Sequence, residues 1–431
     1  MKSNKNLTMS AVLASISVAL LVTILLGQNG IKPRSLTSNL QTNLVFERTV
    51  YDQEQAKVLA ALDETIAFAG PLFRSDGIPA EFIEMTPDLL PKGSRELNDN
   101  YFYAASKTSS DEITFMGGGC ADSSGAWANC SVITNLTPET ESPLSESTAL
   151  ELDFHEYEPD GHGGYWAIKY SSLVCDSEQT KNCGIDADGN PVERIGDCHV
   201  VHVVNNEIEL NWSAYSALPD GETTAERYGE FQDVFHCNSI DSYEIDGREK
   251  FLVSMRNTDS VYQIDVGSGK VDWKIGGNTW KPVSLTIKNP GALGVIDSEL
   301  KSEDVLSGQH DARYLGDGTY SVFDNGSRTS RPGRGIVFQV DPSEKTATIL
   351  KVFNNPEPVS SACTGSFTPM AQSRYWVAGW GCSTSGITVF SSDTTPIVST
   401  QLDPNAPSSN EITNDDFGPL RWSLSYRVLV E

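Results

Sequence analysis

From Phe251 onward the chain is divided into short β-rich runs separated by glycine, asparagine and aspartate turns. The segments SVYQIDVGSGKVDWKIGG, starting at Ser260, and GIVFQVDPSEKTATILKVF, starting at Gly335, share the order strand, aspartate, lysine-bearing turn, strand. HVVHVVNNEIELNW, starting at His199, is a looser third copy. Runs with this length and punctuation are typical of β-strands joined in hairpins. The repetition favours an all-β fold built from similar units.

We predict a six-bladed β-propeller with a short helical and irregular N-terminal extension. Blades of about 40 to 50 residues would number six or seven in the about 320 residues after Asp111, and we predict six. A β-helix or a pair of sandwiches also contains many short strands, so these folds remain alternatives. The predicted domains are a signal peptide or signal anchor at 1–28, a linker and extension at 29–110, and the propeller at 111–431.

One helix is predicted, from Tyr51 to Phe68. Asp52 is a candidate N-cap, Gln55 follows three residues later, and apolar residues recur at helical spacing. The Gly-Pro pair that begins at Gly70 should end this helix, and the following residues up to position 111 have no strong periodicity. The extension is therefore expected to be irregular after its helix.

The charge and the N-terminus restrict the partners and the location of the protein. A formal net charge of −27 and a pI near 4.5 argue against a nucleic-acid partner, which needs a basic surface. Lys2 and Lys5 precede the apolar run from Met9 to Leu26, the layout of a cleaved signal peptide or of a retained single membrane anchor. Both alternatives predict a secreted or otherwise extracytoplasmic chain.

An extracytoplasmic location allows the eight cysteines to form disulfides. Closeness in the sequence predicts three pairs: Cys120 with Cys130, Cys175 with Cys183, and Cys363 with Cys382. Cys198 and Cys237 would then be bonded to each other or free. A nucleophilic Cys237 beside His236 is an alternative, although neighbours on a strand point to opposite faces.

Four Asn-x-Ser/Thr sequons predict a glycoprotein, if the host glycosylates. They begin at Asn129, Asn135, Asn211 and Asn325.

Three of the six histidines stand in front of strand–turn–strand units: His155, His236 and His310. They are 81 and 74 residues apart, which is near two blade lengths. Loops at one end of a propeller axis converge on a central funnel, so residues that are distant in sequence can meet there. The spacing predicts a shared site. Buried structural histidines and a zinc or copper site are the alternatives.

Four segments around these histidines carry a resemblance: DFHEY at Asp153, FHCNSID at Phe235, the stretch from Phe251 to Gly277 with its SMRN motif, and QHDARYLGDGTYSVFDNGS at Gln309. They resemble the arylsulfotransferases that work without phosphoadenosine phosphosulfate, whose defining members are six-bladed propellers. The resemblance implies transfer of a sulfuryl group from an aryl sulfate to a phenolic acceptor, without a metal or nucleotide cofactor. It runs from Leu152 to Phe390.

The resemblance also implies roles for individual residues. His310 would be the nucleophile that carries the sulfuryl group as sulfohistidine. Apart from the resemblance, imidazole chemistry places the proton of His310 on its other ring nitrogen, held by a neighbour such as Asp311 or by a backbone carbonyl. Arg256 would stabilise charge on the sulfuryl oxygens. His236 would protonate the leaving phenolate, and Asn238, on the same face of a strand, would orient an oxygen.

Two further residues and one loop are assigned less directly. His155 would be a further donor or the general base for the acceptor, and Thr364 in ACTGSF is a weaker match as a substrate-binding residue. The loop SRTSRPGRG, from Ser327, carries three arginines that could attract anionic substrates or form a solvated charged surface. A non-catalytic propeller that binds a ligand or cell-surface partner, and a His-ligated metalloenzyme, are the alternative functions.

Overall fold

A computed structural model describes the backbone of the chain over these residues: 34–38, 45–70, 81–96, 102–109, 112–117, 132–136, 141–143, 150–176, 181–186, 188–224, 231–357, 361–371, 374–382, 386–402, 412–414, 418–420 and 427–430. Side chains are described over fewer residues, chiefly within 46–68, 81–94, 150–401 and 427–430. The predictions for the segment 1–28, for Cys120 with Cys130 and for the sequon at Asn129 lie outside the described residues.

Strands dominate the described residues. The first are β1 (Arg34–Ser38), β2 (Val45–Val50), β3 (Ile66–Gly70), β4 (Glu81–Met85), β5 (Pro91–Glu96), β6 (Phe102–Ser109), β7 (Glu112–Gly117), β8 (Val132–Leu136), β9 (Glu141–Pro143) and β10 (Tyr157–Pro159). Next are β11 (Tyr165–Val174), β12 (Arg194–Val204), β13 (Glu207–Ser213), β14 (Phe231–Asp233), β15 (Cys237–Ile245), β16 (Arg248–Met255), β17 (Ser260–Asp265), β18 (Val271–Gly276), β19 (Thr286–Lys288) and β20 (His310–Gly316). The last are β21 (Thr319–Asp324), β22 (Arg334–Asp341), β23 (Thr346–Asn354), β24 (Ser366–Met370), β25 (Tyr375–Gly379), β26 (Gly386–Ser391), β27 (Pro396–Leu402), β28 (Ile412–Asn414), β29 (Gly418–Leu420) and β30 (Val428–Val430).

Helices are short and few in the described residues. They are α1 (Gln53–Leu59), α2 (Ala214–Ala217), α3 (Ser302–Val305) and three 3₁₀ segments, Arg256–Thr258, Pro290–Leu293 and Asp297–Glu299. None of the helices that the structure describes is long and apolar enough to cross a membrane. The all-β class predicted from the sequence is confirmed.

The predicted N-terminal helix is correct at its start and wrong at its end. Asp52 caps α1 by accepting from two backbone N–H groups of the first turn. The helix stops at Leu59, however, and Ile66 begins β3. The apolar residues of this strand follow those of α1 at a spacing that also fits a helix. Because β3 pairs with β4, its apolar residues are buried in a sheet instead.

Most strands pair with their neighbours in the chain, and six sheets of the described residues hold four strands or more. Sheet 1 is β30-β3-β4-β5, sheet 2 is β6 to β9, and sheet 3 is β10 to β13 with β14 beside β12. Sheet 4 is β15 to β18, and sheet 5 has the order β19-β23-β22-β21-β20. Sheet 6 is β1-β2-β27-β26-β25-β24. The strand–turn–strand repeats predicted from Phe251 to Phe390 are therefore the hairpins of sheets 4 to 6.

The sheets contact one another through their leading strands. Contacts run from β6 through β10, β15, β20 and β24 to β30, and β30 also contacts β6. The two ends of the chain are tied into this order, because β30 pairs with β3 and β2 pairs with β27. The predicted boundary between residues 110 and 111 falls between β6 and β7, which pair as neighbours in sheet 2.

Apolar side chains fill the spaces between neighbouring sheets. One core cluster joins sheets 3 and 4, with Trp166 and Phe251 among its members, and another joins sheets 4 and 5, with Trp273 and Tyr320. Each such large side chain contributes about 1.5–3 kcal/mol by leaving water. A third cluster, with Phe353 and Phe367, joins sheets 5 and 6. These packed interfaces hold the starts of β15, β20 and β24 in place, where the candidate site lies.

Candidate functional site

His310 begins β20 and is buried, with 1% of its surface exposed. Its Nδ1 lies 2.8 Å from Asn325 Oδ1 and 3.1 Å from the Gly308 carbonyl oxygen. Gly308 has a φ of +65°, and a Cβ at this position would collide with Ser327 Oγ. Glycine is therefore required where the chain turns to bring this carbonyl near the imidazole.

Asp311, the other residue expected to hold the His310 proton, is bonded elsewhere. Its carboxylate accepts from Arg313 at 2.8 Å and from the Phe367 N–H at 2.7 Å. Of the two predicted hydrogen-bond partners of His310 Nδ1, the structure shows the backbone carbonyl and does not show Asp311. Asn325, in the FDNGS segment, is the nearer partner and was not predicted.

The surroundings of His310 lower the pKa of its imidazole well below its usual value. Burial is the largest cause, and the positive charge of Arg256 is the second. The hydrogen bond to Asn325 acts in the opposite direction, while His236 and Arg427 lower the pKa further. His310 is therefore neutral near pH 7, with Arg256 and His236 within electrostatic range.

His155 lies just before sheet 3 and is held by a carboxylate. Its Nδ1 is 2.5 Å from Asp153 Oδ1, and the same oxygen accepts the His155 backbone N–H at 2.9 Å. The ring stacks on Phe154 with centroids 4.4 Å apart. Both His155 and Asp153 are buried, so the imidazole has a fixed orientation.

His236 lies against His155, with ring centroids 4.9 Å apart and planes at 78°. Asp233 accepts from the His236 backbone N–H at 2.9 Å and contacts its Nδ1 at 2.6 Å. Burial is the main cause of a lowered pKa for His236, which Asp233 opposes and His155 and Arg256 reinforce. Two histidines from different sheets thus form a contacting pair, each with its own aspartate.

The local backbone at His236 differs from the prediction. The residue precedes β15 and has a φ of +52°, in the left-handed region that non-glycine residues seldom occupy. His236 and Asn238 therefore do not share one face of a strand, which corrects the prediction. The Asn238 amide instead donates to the Gln309 carbonyl at 2.8 Å, so it braces the residue that precedes His310.

Arg256 starts the 3₁₀ segment after β16 and connects several parts of the site. Its backbone N–H donates to the His236 carbonyl at 2.9 Å. Its guanidinium donates to Asn257 Oδ1 and to the Ala362 carbonyl, both at 3.1 Å. The cation therefore lies between the start of β15 and the loop before β24, and it lowers the pKa of both His236 and His310.

The three arginines of the loop after β21 are paired with carboxylates, although Arg328 itself is exposed. Arg328 pairs with Asp259 and donates to the Arg256 carbonyl at 3.2 Å. Arg331 and Arg334 pair with Asp324 at 2.6 and 2.9 Å. Buried carboxylates thus offset these charges, and Arg328 supports the backbone of Arg256.

Thr364 lies in the loop before β24 and is buried with a φ of +54°. Its carbonyl oxygen accepts from Asn325 Nδ2 at 2.7 Å, and its Oγ1 lies 3.6 Å from Cys382 Sγ. The residue predicted to bind substrate is therefore connected to His310 through its backbone and Asn325.

A buried ionic network lies along β20 beyond His310. Arg427, just before β30, donates to Glu156 at 3.1 Å and to the Asn238 carbonyl at 2.5 Å. Glu156 also accepts from Arg313 at 2.8 Å. Four sheets therefore meet through these groups at the starts of their leading strands. No sequence signal connected Arg427, near the C-terminus, with residues so far along the chain.

Three disulfides occur in the described residues: Cys175–Cys183, Cys198–Cys237 and Cys363–Cys382. The two predicted pairs that lie in the described residues, Cys175–Cys183 and Cys363–Cys382, are confirmed, and Cys198 is bonded to Cys237. The alternative of a nucleophilic Cys237 is wrong, because its sulfur is in a disulfide. Disulfides of this number indicate an extracytoplasmic protein.

Of the three remaining histidines, His162 is exposed in the turn before β11, and His199 and His202 lie on β12 in sheet 3. His199 contacts Ser171 Oγ at 2.8 Å and Asn211 Oδ1 at 2.7 Å, whereas His202 contacts Asp160 at 2.9 Å. Within the part of the chain that the structure describes, no group of three or more His, Cys, Asp or Glu side chains is arranged to hold a metal ion.

The structure therefore brings four predicted side chains into one neighbourhood: His155, His236, Arg256 and His310. Asn238 and Thr364 contact the backbone and side chains that support them. Sequence reasoning missed Asp153, Asp233 and Asn325, which contact the three Nδ1 atoms. The aspartates stand two and three residues before their histidines, a spacing visible in the sequence. A neutral imidazole beside a guanidinium suits attack on an anionic electrophile.

Comparison with known proteins gives one family. The model of the family described as Arylsulfotransferase (ASST) matches residues 128–401, which include all six predicted site residues. No curated protein matches the chain.

Solved structures give more distant likenesses. A protein from Bacteroides fragilis provisionally called a 6-phosphogluconolactonase is 10% identical, with a TM-score of 0.44 over 85% of this chain and 98% of its own. A similarly named protein from Bacteroides uniformis is 8% identical, with a TM-score of 0.42 over 86% and 100%. The β-propeller domain of Swd1 from Myceliophteria thermophila is 8% identical, with a TM-score of 0.35 over 77% and 88%. With TM-scores below 0.5, these likenesses carry no conclusion about the fold.

Proposed function

The chain belongs to the arylsulfotransferase family, and on this premise we propose that it moves a sulfuryl group from an aryl sulfate ester to a phenolic acceptor through a sulfohistidine at His310. One observation carries the proposal. A buried histidine, kept neutral, lies within electrostatic range of Arg256 and of the His155–His236 pair. A neutral imidazole is a nucleophile, and the cation beside it favours an anionic sulfate ester as the partner.

In the first half of the reaction, His310 attacks the sulfur of the donor. A nitrogen–sulfur bond forms as the bond from sulfur to the aryl oxygen breaks, and this oxygen leaves with the bonding electron pair as a phenolate. Negative charge is spread over the non-reacting sulfuryl oxygens, as in phosphoryl transfer. Arg256 is assigned to these oxygens, because a fixed cation in a water-poor site stabilises such charge strongly.

In the second half, the oxygen of the acceptor phenol attacks the sulfur and the nitrogen of His310 leaves. The acceptor must lose its proton, and the departing phenolate of the donor must gain one. We assign this exchange to His155 and His236 as a pair, because each has its ring fixed by an aspartate and the rings touch. Because the two rings are in contact, the pair can take a proton from the acceptor phenol and give a proton to the phenolate that leaves the sulfate donor.

We also propose that sheets 1 to 6 are the blades of a six-bladed β-propeller. The circular order of contacts from β6 to β30 and the pairing of β30 with β3 support this. The propeller would then include sheets 1 and 6, so it would begin before residue 111. Residues 1–28 remain assigned to a signal peptide or anchor that directs the chain out of the cytosol.

The test is turnover of p-nitrophenyl sulfate with and without added phenol. We expect the native chain to release p-nitrophenol and to form phenyl sulfate, and His310→Ala to do neither. Donor alone should leave a peptide containing His310 heavier by one sulfuryl group in mass spectrometry. His202→Ala is the matched control, since this histidine also contacts an aspartate but lies in sheet 3 away from the site. Equal activity of His310→Ala and the native chain would refute the proposal.

A further inference from the structure

The side chain of Asn325 has only one orientation that satisfies its surroundings. Its Nδ2 donates to the Thr364 carbonyl at 2.7 Å and to Ser361 Oγ at 3.1 Å. Ser361 donates its own hydroxyl proton to the Cys363 carbonyl at 3.0 Å, so its oxygen is an acceptor for Asn325. Rotating the amide would place its oxygen against the Thr364 carbonyl, and two acceptors would then face each other.

This orientation fixes which nitrogen of His310 carries the proton. The amide oxygen of Asn325 and the carbonyl oxygen of Gly308 both face Nδ1, at 2.8 and 3.1 Å. Both are acceptors only, so Nδ1 must be the protonated atom. In a neutral ring the lone pair is then on Nε2.

We propose that Asn325 is a positioning residue that holds His310 in the Nδ1–H tautomer, so that Nε2 is the atom that takes up the sulfuryl group. The inference rests on the proposed function for the identity of the transferred group. Asn325 acts through His310 and touches neither substrate in this scheme. The carbonyl of Thr364 completes the device by fixing the amide, which gives that residue a role through its backbone.

The tautomer matters in both halves of the reaction. When Nε2 attacks, the ring gains positive charge while Nδ1 keeps its proton, and Asn325 Oδ1 accepts a stronger hydrogen bond from it. When the acceptor oxygen then attacks the sulfur, the nitrogen–sulfur bond breaks and Nε2 recovers its electron pair. Because Nδ1 is still protonated, the leaving group is a neutral imidazole and not an imidazolate.

Asn325 also lies in the fourth sequon, and its environment separates the two possible uses of this residue. The side chain is fully buried and both hydrogens of its amide are engaged. A glycan needs an exposed amide nitrogen, so we assign Asn325 to His310 and not to glycosylation. Asn211, by contrast, is exposed.

The test has a spectroscopic arm that needs no substrate. In the protein labelled with ¹⁵N-histidine, above the pKa of His310, we expect a pyrrole-type Nδ1 signal and a pyridine-type Nε2 signal for this ring. In Asn325→Ala these signals should move toward a mixture of tautomers. The rate of p-nitrophenol release should fall about tenfold, the effect of losing one buried hydrogen bond. The position of sulfuryl attachment in the native chain should be Nε2.

Asn211→Ala is the matched control, because Asn211 Oδ1 contacts His199 Nδ1 at 2.7 Å in sheet 3. This variant should change the signals of His199 and leave the rate unchanged. A pyridine-type Nδ1 at His310 in the native chain would overturn the inference, as would an unchanged tautomer in a folded Asn325→Ala. Because this arm reads the free protein, it can fail while sulfuryl transfer is observed, or succeed while transfer is absent.

Discussion

The candidate site contains two regions in which histidines are supported in different ways. At His310 the Nδ1 atom faces an amide oxygen and a backbone carbonyl, both uncharged. At His155 and His236 the Nδ1 atoms face carboxylates, Asp153 and Asp233. A carboxylate stabilises a protonated ring, whereas a neutral acceptor in a buried place does so much less. The comparison suggests a division between a histidine kept neutral and a pair able to hold a proton.

The directions of the pKa shifts agree with this division. Burial lowers the pKa of both His236 and His310, but only His236 has a carboxylate partner that raises it again. The pKa of His310 is accordingly lowered well below its usual value, while that of His236 is lowered by less. A nucleophile must be unprotonated to attack and a proton carrier must bind and release its proton, so the two supports suit different steps.

Removing Arg256, the cation that lowers the pKa of both His236 and His310, should have the largest effect on activity. In Arg256→Ala, we expect kcat/KM for p-nitrophenyl sulfate to fall about a hundredfold to a thousandfold, because charge on the sulfuryl oxygens loses its fixed partner. The pKa of His310 should also rise, since Arg256 is the second cause of its depression. The acidic limb of the pH–rate profile would then move to higher pH.

Arg194→Ala is the control for this experiment, because Arg194 is exposed and its Nε contacts Ser172 in sheet 3. It should leave both the rate and the pH profile unaltered. A normal kcat/KM in Arg256→Ala would show that Arg256 does not stabilise the transition state, contrary to the proposal. A large loss without movement of the acidic limb would mean that Arg256 acts on the substrate alone.

Much of the strand pattern could be predicted, because sheets 4 to 6 consist of short β-rich runs separated by clear turn signals. The hairpin of β17 and β18 is an example: Val261, Tyr262 and Ile264 are buried, and a Gly-Ser-Gly turn follows. Among the strands before residue 111, β3 escapes prediction for a physical reason. Apolar residues of β3 follow those of α1 at a spacing that also fits a helix, and only long-range pairing with β4 and β30 decides between them.

The sequence predicted the side chains that the structure brings together better than it predicted the groups that hold them in position. Motif resemblance identified the three histidines and Arg256, whereas nothing local indicated that Asn325 would face His310. The two residues meet because β20 and β21 pair with His310 opposite Phe323, which places Asn325 just beyond the end of the hairpin. The contact of Arg427 with Glu156 depends on a strand from the far end of the chain, so no local pattern could reveal it.

A second prediction replaces the carboxylate partner of His236 by an amide. Asp233→Asn gives His236 an uncharged partner like that of His310, which removes the interaction that raises its pKa. We expect transfer to phenol to slow by about tenfold, less than the full contribution of a positioned acid–base group. The initial burst of p-nitrophenol should persist, because this activated leaving group departs as a phenolate. Rapid-mixing kinetics with and without phenol would measure the two steps separately.

Asp160→Asn is the matched control, because it alters the aspartate of His202 outside the site. Neither the burst nor the later turnover should change in this variant. If Asp233→Asn suppressed the burst as strongly as the turnover, His236 would contribute to a step in which no proton is transferred, and the proposed division between the supports would be wrong.

The smallest expected effect concerns the free energy of unfolding. Its dependence on pH distinguishes His236 from His310 without any substrate. His236 and His310 each have a lower pKa in the folded chain than in the unfolded chain, where the pKa of histidine is about 6.5. Between these two values only the unfolded chain binds the proton, so stability falls as pH decreases through this window. Each histidine contributes a slope of at most about 1.4 kcal/mol per pH unit. Because the depression is larger for His310, its window reaches to lower pH.

Replacing each histidine in turn should reveal this difference in urea unfolding measured from neutral pH downward with the disulfides intact. His310→Gln should flatten the pH dependence of the free energy of unfolding over a wider range than His236→Gln does. The absolute stability of either variant does not enter, because the comparison uses only the slope with pH. Equal flattening by the two variants would show that Asp233 does not counteract burial at His236, and the contrast between carboxylate and amide support would lose its energetic basis.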